Sequence, residues 1–486
     1  MYTKLIFELD RKEVKKNYLP QTEVAGKPLA ELVPAGMIRQ KKAGIPEVAE
    51  NEVVRHFVSL STRNYHVDKG IYPLGSCTMK YNPKINEDMT VLPGFSNLHP
   101  MQPEKTTQGA LQLMYELQEM LKEISGMKGI TLQPAAGAHG ELTGCMMIRK
   151  YHLQRGEDRK TILVPDSAHG TNPASAAIAG MKTVEVKSTE DGLVDIEDLK
   201  SKLDDDVAAI MLTNPSTLGI YEKNIREIEK LVHEAGALMY MDGANLNALL
   251  GIVRPGDLGF DVLHINLHKT FSVPHGGGGP GSGPVAVSER LVDYLPVPVV
   301  SKNDSGYYLD ENIPNSIGRM IGFYGNFAAL LRAYVYIRMQ GPDGLKEISE
   351  NAIINANYLK KHLRQILQLP HQTQHMHEFV LSGAELVKET GVKMLDVAKR
   401  MLDYGVHAPT VYFPLIVREA LMIEPTETES KEMLDYFIDV LRKIVEEART
   451  NPELLKGAPY SAPIRRVDEL KANKDMIVCY TEDINS

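Results

Sequence analysis

The chain has 486 residues, with 43% hydrophobic and 24% charged side chains, which is the composition of a globular protein. Its length exceeds what a single hydrophobic core normally supports, so at least two domains are expected. The formal net charge of −9 excludes a generally basic protein that neutralises nucleic-acid phosphates, and three widely spaced cysteines (Cys77, Cys145 and Cys479) do not suffice for a disulfide framework.

The first residues have a short apolar run followed by mixed charges, without the long apolar stretch and small-residue cleavage site of a signal peptide. No apolar stretch approaches the roughly 18 residues that are needed to cross a bilayer. Together with the few cysteines, these features predict a cytoplasmic protein that does not insert into membranes.

Residues 1–100 are rich in proline, glycine and charge, and they are predicted to form an N-terminal arm. The segment that follows has apolar residues at helical spacing, and Gly126 is placed to end the helix. Short apolar runs then alternate with helical patterns. The predicted strands begin near residues 161, 182, 207, 237, 262 and 284. Continuous apolar runs are typical of strands buried on both faces, so the sequence predicts a doubly wound, mostly parallel α/β domain.

A long helical pattern covers 323–345 and ends at glycine and proline. After it, helices alternate with shorter strands, which predicts a smaller α+β domain. The tail is rich in proline and glycine and is predicted to wrap over the surface. The predicted parts are therefore an arm (1–100), a large α/β domain (101–335) that carries the candidate site, a small α+β domain (336–450) and an extension (451–486).

Lys269 stands just after a predicted buried strand and before the glycine run 276–279. A lysine at the end of a buried strand loses solvation unless it is paired or neutralised. Attachment to an aldehyde cofactor as a Schiff base neutralises the amine and uses its nucleophilicity. The alternative for this segment alone is a lysine that reaches out to water.

Asp242 ends the preceding apolar strand, at the sheet edge where Lys269 is expected. A carboxylate there can bond the pyridinium nitrogen of pyridoxal phosphate and keep it protonated, so that the ring accepts electrons from a developing carbanion. The alternative is an aspartate that caps the next helix. Together the two residues favour a pyridoxal-phosphate enzyme.

A third strand end supplies the segment PAAGAHGELTG (134–144), whose small residues lead into a predicted helix. The backbone amides of Ala136, Gly137 and Ala138 can point at a phosphate there, and the helix dipole adds a favourable potential. A tight turn without a ligand is the alternative, since small residues alone are a weak signal.

His169 and Thr213 stand at two further strand ends of the same edge. A flat imidazole at His169 is suited to stack on the cofactor ring, and the hydroxyl of Thr213 is suited to its phosphate or ring hydroxyl. His264 and His268 have the four-residue spacing of some metal sites, but in a strand this spacing separates them by about 13 Å, so no metal site is predicted.

Seven segments in order along the chain carry a wider likeness. They are YPLGSCTMKYNPK, FSNLHP, PAAGAHGELTG, SAHGTNPASA, MDGANLNA, NLHKTFSVPHGGGGPGSGP and LMIEPTETE. They resemble the glycine decarboxylase component of the glycine cleavage system, the P-protein family, and specifically the cofactor-bearing subunit of its two-subunit form. The resemblance spans most of the chain.

The resemblance implies fold type I of the pyridoxal-phosphate enzymes, the aspartate-aminotransferase-like fold. It makes Lys269 the Schiff-base lysine, Asp242 the pyridinium partner and His169 the ring-stacking histidine. His268 is implied as a contact of the cofactor phosphate, and Asn245 as a contact of the ring hydroxyl.

The chain departs from the family pattern in the segment 134–144, where long single-chain members tend to have PNSGAQGEYAG. Ala136 offers no hydroxyl to the phosphate, so backbone amides and His139 are expected to compensate. Single-chain members also carry a second, related half that this chain lacks. The resemblance therefore implies a partner, P-protein subunit 1, in a heterotetramer with two copies of each subunit.

The activity implied by the resemblance is decarboxylation of glycine, with transfer of the aminomethyl group to the lipoyl arm of H-protein. Reduction of the lipoyl disulfide makes this an oxidoreductase reaction. Two alternatives stay open on the residues: another fold type I enzyme, such as an amino-acid decarboxylase or cysteine desulfurase, or a non-catalytic subunit of the same fold.

Overall fold

The computed structural model describes residues 4–9, 23–41, 43–168, 170–276 and 281–476. The chain forms two compact units, residues 1–66 and 67–486. The described part of the first unit contains two α-helices, α1 (Leu29–Leu32) and α2 (Glu50–Ser61), and two short 3-10 helices, Ile6–Leu9 and Ala35–Met37. At the start of α2 the Glu52 carboxylate accepts a hydrogen bond from the Ala49 amide, which satisfies one of the amides that lack a partner within the helix.

The second unit combines helices with three sheets. The helices described in it are α3 (Lys84–Thr90), α4 (Pro93–Ser96), α5 (Gln108–Ser125), α6 (Gly137–Gln154), α7 (Thr171–Ile178), α8 (Ile196–Lys202), α9 (Ile225–Glu234), α10 (Phe327–Leu363), α11 (Ala384–Thr390), α12 (Met394–Asp403), α13 (Lys431–Thr450), α14 (Pro452–Lys456) and α15 (Glu469–Lys474). The strands are β1 (Gly129–Thr131), β2 (Thr161–Pro165), β3 (Lys182–Val186), β4 (Val207–Thr213), β5 (Leu238–Gly243), β6 (Val262–Ile265), β7 (Val285–Val287), β8 (Val299–Asn303), β9 (Gly306–Asp310), β10 (Phe379–Ser382), β11 (Thr410–Val411) and β12 (Ala420–Ile423).

The large sheet has seven strands in the order β1-β7-β6-β5-β4-β2-β3. Strands β3, β2, β4, β5 and β6 run parallel to one another, whereas β7 pairs antiparallel with both β6 and β1. The apolar strands β4, β5 and β6 are almost completely buried, as their continuous hydrophobic runs predict. The predicted mostly parallel α/β domain is confirmed.

Helix α5 packs beside this sheet and ends where the sequence predicts. Gly126 adopts a left-handed conformation with φ of 72°, and its amide donates to the carbonyl of Lys122. This conformation favours glycine because a side chain there is strained.

Helix α10 differs from its prediction, because it continues through the glycine and proline that were expected to end it. Gly341 leaves the helical conformation with φ of 63°, and Pro342 starts a second helical stretch that runs on to Leu363. Proline is tolerated at the first position of a helical stretch, where its missing amide hydrogen is not needed. The element is therefore two helices joined at a kink.

The C-terminal part has its own hydrophobic core, built around the three-stranded sheet β10-β12-β11 and helix α13. This core is distinct from the one between the large sheet and helices α5 and α9. Helix α10 contributes to both cores and crosses the predicted domain boundary at 335/336, so that boundary stays a prediction. Among the described residues, no helix combines the length and the apolar character that a bilayer crossing requires.

Candidate active site

A cavity of about 200 Å³ opens at the carboxyl ends of β4, β5 and β6. Parallel strands present their carboxyl ends at one edge of a sheet, which is where ligands bind in open α/β folds. The register of the sheet places Thr213 beside Asp242, and Asp242 beside His264, on consecutive strands. The sequence prediction that these strand ends converge is confirmed.

Lys269 lines this cavity from a turn that follows β6. The turn is closed by a hydrogen bond of 3.1 Å from the Lys269 amide to the carbonyl of Asn266. The side chain is half-buried, and its Nζ donates to the carbonyl oxygen of Ser76 at 2.6 Å. The amine is therefore held at the cavity wall rather than extended into water.

Asp242 is almost fully buried and also lines the cavity. Its Oδ1 lies 3.2 Å from Nε2 of His264, and Nδ1 of that ring is 2.9 Å from the hydroxyl of Tyr240. Burial by itself would raise the pKa of Asp242, but the neighbouring His264 holds this pKa well below its usual value. Burial would lower the pKa of His264, and Asp242 raises it above the usual value. The carboxylate is thus kept ionised at the cavity.

The helix α6 begins at the cavity, and its first residues Gly137 and Ala138 line the wall. The first amides of a helix have no acceptor within it and carry the positive end of the dipole. Ala136 precedes the helix and is not among the lining residues, while His139 Nδ1 accepts from the amide of Ala135 at 3.2 Å. At Gly137 a Cβ would lie 2.5 Å from Oδ1 of Asn266, so the backbone approaches closely there.

Five buried polar atoms of cavity-lining residues have no hydrogen-bond partner within the described ranges. Three of them lie at the strand ends and the turn after β6, namely Oγ1 of Thr213, Oδ1 of Asn266 and Nδ1 of His268, and the other two are the ring nitrogens of His377. Burial, together with the charges of His275 and Lys269, lowers the pKa of His268 to about 4, so its ring is neutral at physiological pH. Buried polar atoms normally have partners, so this set fits a polar ligand such as a phosphate.

The structure gives no direct support to two of the predicted cofactor contacts, those of Asn245 and His169. Asn245 lines the cavity, but its amide nitrogen donates to Oε1 of Glu424 at 3.0 Å and its Oδ1 accepts from the Asn247 amide. His169 lies outside the described residues, so its ring-stacking role stays a prediction.

Several residues of the site were missed by the sequence prediction. Ser76, Glu141, His377 and Glu378 line the cavity, and Glu424 stands behind Asn245. Ser76 and Glu424 belong to the motifs YPLGSCTMKYNPK and LMIEPTETE. These motifs supported the family resemblance, but neither residue was given a role in the site. His377 and Glu378 belong to none of the quoted motifs. They reach the cavity because β10 packs against the large domain, which the order of residues does not reveal.

Comparison with known proteins identifies the family. The model of the glycine cleavage system P-protein matches residues 24–306, and that of the glycine dehydrogenase C-terminal domain matches residues 348–456. The probable glycine dehydrogenase (decarboxylating) subunit 2 of Chloroherpeton thalassium is 62% identical over 98% of this chain and 97% of its own length. The chain belongs to the P-protein family.

Other P-protein relatives agree. The probable glycine dehydrogenase (decarboxylating) subunit 2 of Chlorobaculum tepidum is 62% identical, and the protein so named in Caldanaerobacter subterraneus is 59% identical. Each alignment covers 99% of this chain and 99% of the relative. These relatives are each named as subunit 2, the second subunit of a two-subunit form of the enzyme.

Solved structures agree on the fold. An inhibitor-bound glycine decarboxylase (P-protein) has a TM-score of 0.70 at 22% identity, covering 88% of this chain and all of that one. Glutamate decarboxylase of Lactobacillus brevis has a TM-score of 0.65 at 15% identity, covering 86% and 97%. The P-protein chain therefore has fold type I of the pyridoxal-phosphate enzymes.

The residues of the cavity fit the cofactor of this family, pyridoxal 5′-phosphate. An amine and an ionised carboxylate lie on one cavity wall, and the orphaned polar atoms and the start of α6 suit a phosphate. The predictions of the family, the enzyme class, the fold and the cofactor are confirmed.

Proposed function

We propose that this chain is the cofactor-bearing subunit that decarboxylates glycine and transfers the aminomethyl group to the lipoyl arm of H-protein. It works with P-protein subunit 1 in a heterotetramer that has two copies of each subunit. The observation that carries the proposal is the placement of the Lys269 amine and the ionised Asp242 carboxylate on one cavity wall of a P-protein family member.

Pyridoxal phosphate, when bound, supplies an electron-accepting ring that stabilises the negative charge left on carbon as carbon dioxide departs. Lys269 contributes the amine that holds the cofactor covalently and gives way to glycine. Asp242 contributes a fixed negative charge that holds a proton at the ring nitrogen, and His264 keeps that carboxylate ionised.

The phosphate is assigned to the start of α6, with the amides of Gly137 and Ala138 as donors. Oγ1 of Thr213 and Nδ1 of His268, which are buried without a hydrogen-bond partner in the described part of the chain, add side-chain contacts. Ala136 is dropped from this set of contacts because it does not reach the cavity wall.

The charge of the cavity supports glycine as the substrate. Among the described lining residues, Lys269 is the only lysine or arginine, while Glu141, Asp242 and Glu378 are acidic. A side-chain carboxylate on the substrate would add a negative charge beside these acidic groups, with Lys269 as the one lysine or arginine of the described lining to offset it. Small, uncharged side chains are therefore favoured over acidic ones.

Reconstitution tests the function. The chain, subunit 1 and lipoylated H-protein are incubated with glycine and labelled bicarbonate, and label entering glycine is measured. The matched control is H-protein without its lipoyl group. We expect exchange that requires both the lipoylated carrier and subunit 1. Desulfuration of cysteine, or release of free amine without a carrier, would contradict the proposal, and full activity of the chain alone would contradict the partner assignment.

A further inference from the structure

Two carboxyl groups and an imidazole form a buried cluster on the small-domain side of the cavity. Glu378 immediately precedes β10 and Glu424 immediately follows β12, and these two strands pair antiparallel with Phe379 opposite Ile423. One oxygen of each carboxyl group and one ring nitrogen of His377 all lie within 4.8 Å of one another. The three side chains are almost inaccessible to solvent, with relative exposures of 3%, 0% and 1% for Glu378, Glu424 and His377.

The cluster holds like charges without a cation in contact. In the described ranges, neither Glu378 nor Glu424 forms an ion pair with a lysine or arginine, and the nearest ring nitrogen, Nε2 of His377, lies 3.7 Å from Oε1 of Glu378. Both nitrogens of His377 lack a hydrogen-bond partner among the described residues. Two ionised carboxylates cannot share such a site, so the pair retains a proton.

The hydrogen bonds decide which carboxyl group carries the proton. Glu424 accepts on both oxygens, from the Thr78 amide at 3.1 Å and from Asn245 at 3.0 Å. Glu378 accepts on Oε2 alone, from the Ser76 amide at 2.8 Å. Hydrogen bonds to an acceptor stabilise its ionised form, so the proton resides on Glu378, and Oε1 is the oxygen left to hold it.

The electrostatics agree with this assignment. Burial and the nearby Glu424 raise the pKa of Glu378 well above its usual value. Burial raises the pKa of Glu424 to about 7 against the hydrogen bonds from Asn245 and Thr78. Burial, together with the charge of Lys269, lowers the pKa of His377 to about 3, so this ring stays neutral and does not take the proton.

Ser76 forms hydrogen bonds with both the cluster and Lys269. Its amide donates to Oε2 of Glu378, and its carbonyl accepts from Nζ of Lys269 at 2.6 Å. Glu378 and His377 also line the cavity beside Lys269. The acid on Glu378 therefore faces the space in which the substrate reacts.

We propose that Glu378 is the acid that protonates the departing sulfur when the lipoyl disulfide is opened, an inference that rests on the function proposed above. Glu424 and the neutral His377 are positioning residues that keep the proton on Glu378.

The step balances without a further reactant. The methylene carbon left by carbon dioxide forms a bond to one sulfur, the sulfur–sulfur bond breaks, and its electron pair goes to the second sulfur. The disulfide is reduced as the carbon is oxidised, and the second sulfur takes the proton of Glu378 to become a thiol. Glu378 regains a proton from the ammonium group of the next glycine, which must lose one proton before its amine reacts.

The charged and titratable groups that face the cluster come from three parts of the fold. Lys269 acts from the turn after β6, Glu424 and His377 act from the small domain, and Cys77 lies on the segment that contains Ser76. Burial raises the pKa of Cys77, and both glutamates raise it further against the opposing effect of Lys269, so its thiol is protonated. Lys269 is the one cation of this set.

Infrared difference spectroscopy tests the proton directly and does not depend on turnover. At about pH 9, where Glu424 and Glu429 with pKa values of about 7 are ionised, the wild-type protein should still show the carbonyl band of a buried protonated carboxyl group, and Glu378→Gln should lose it. Glu378→Asp should keep a band at a shifted position, and the exposed control Glu385→Gln on α11 should leave the wild-type band unchanged. A band that persists in Glu378→Gln would overturn the assignment.

A single-turnover experiment tests the role. Labelled carbon dioxide and new lipoyl thiol are measured in the same reaction with lipoylated H-protein and subunit 1. Glu378→Gln should release carbon dioxide within about threefold of the wild-type rate but form thiol at least about 100-fold more slowly, the size of a general-acid contribution. Glu378→Asp should recover part of the loss. Equal thiol formation by Glu378→Gln would overturn the inference alone, whereas no thiol from the wild-type protein would overturn the proposed function as well.

Discussion

Asp242 and His264 stand opposite each other on the paired strands β5 and β6, with Oδ1 of Asp242 3.2 Å from Nε2 of His264. The two groups stabilise each other's charged forms inside the protein, since each shifts the pKa of the other away from the effect of burial. The sheet register thus places an ionised carboxylate at the cavity wall, which is the charge that the proposed contact with a pyridinium ring needs.

Replacement of this carboxylate tests the pair. Asp242→Asn removes the negative charge, and His264, whose pKa burial then lowers, loses its charge as well, so glycine decarboxylation should fall by at least about 100-fold. The free energy of unfolding should fall by about 3–5 kcal/mol, as expected when one partner of a buried pair is lost. Asp257→Asn, at an exposed site, is the control. Decarboxylation kinetics and urea unfolding measure the two effects, and near wild-type turnover would rule out the assigned role.

Lys269 is predicted to be the attachment point of the cofactor. Lys269→Arg keeps the positive charge but cannot hold the aldehyde covalently, so borohydride reduction and peptide mapping should find no pyridoxyl group at position 269. Glycine decarboxylation should fall by at least about 1,000-fold. The exposed Lys346→Arg on α10 should retain labelling at Lys269 and full activity. A yellow, active Lys269→Arg protein would contradict this assignment.

Lys80 and Glu427 form a buried ion pair of 2.6 Å, and Lys80 also donates to Asn247 and to the carbonyl of Thr270, the residue after Lys269. Lys80→Met should lower the free energy of unfolding by about 3–5 kcal/mol, because the Glu427 carboxylate is left buried without its cation. Lys84→Met is the matched control. The Lys84–Asp68 pair is exposed, so its loss should lower the free energy of unfolding by at most about 1 kcal/mol. Denaturant unfolding of both variants gives the comparison, and equal losses would refute the argument from burial.

Gly144 and Gly109 are helical glycines with opposite surroundings. A Cβ at Gly144 in α6 would lie 2.3 Å from the ring of Tyr240, whereas one at Gly109 in α5 would meet nothing within 4 Å. Gly144→Ala should therefore destabilise the protein by about 1–3 kcal/mol. Gly109→Ala should stabilise it by roughly 0.5–1 kcal/mol, because alanine loses less conformational freedom in a helix. Thermal unfolding should show shifts of opposite sign; shifts of the same sign would contradict the close packing of α6 against Tyr240.

Glu424 gives a pH dependence of stability with a defined sign. Its pKa is raised from the ordinary glutamate value to about 7 in the folded protein. The contribution of Glu424 to the free energy of unfolding is therefore greatest below the pKa that Glu424 has in the unfolded chain. It decreases by roughly 3 kcal/mol as the pH rises through about 7. Glu424→Gln should gain stability relative to the wild-type protein between pH 5 and pH 8 in urea titrations of the cofactor-free protein. Parallel pH profiles of the two proteins would show that Glu424 does not titrate in this range.

The sequence by itself determined the features that depend on local order. Apolar runs predicted β4, β5 and β6 because strands buried on both faces must be continuously hydrophobic. Residues at the ends of parallel strands meet at one sheet edge, so Lys269 and Asp242 could be placed together from their positions alone. The seven motifs identified the P-protein family for the same reason, since each is contiguous in the chain.

Only the tertiary structure decided which distant side chains complete the site. Ser76, His377 and Glu378 reach the cavity from segments far from Lys269 in sequence, and no spacing rule links them. Whether a carboxyl group is buried beside another, as Glu378 is beside Glu424, depends on how β10 and β12 pair and pack. Proton affinity follows desolvation and neighbouring charge, which are properties of that packing and not of the order of residues.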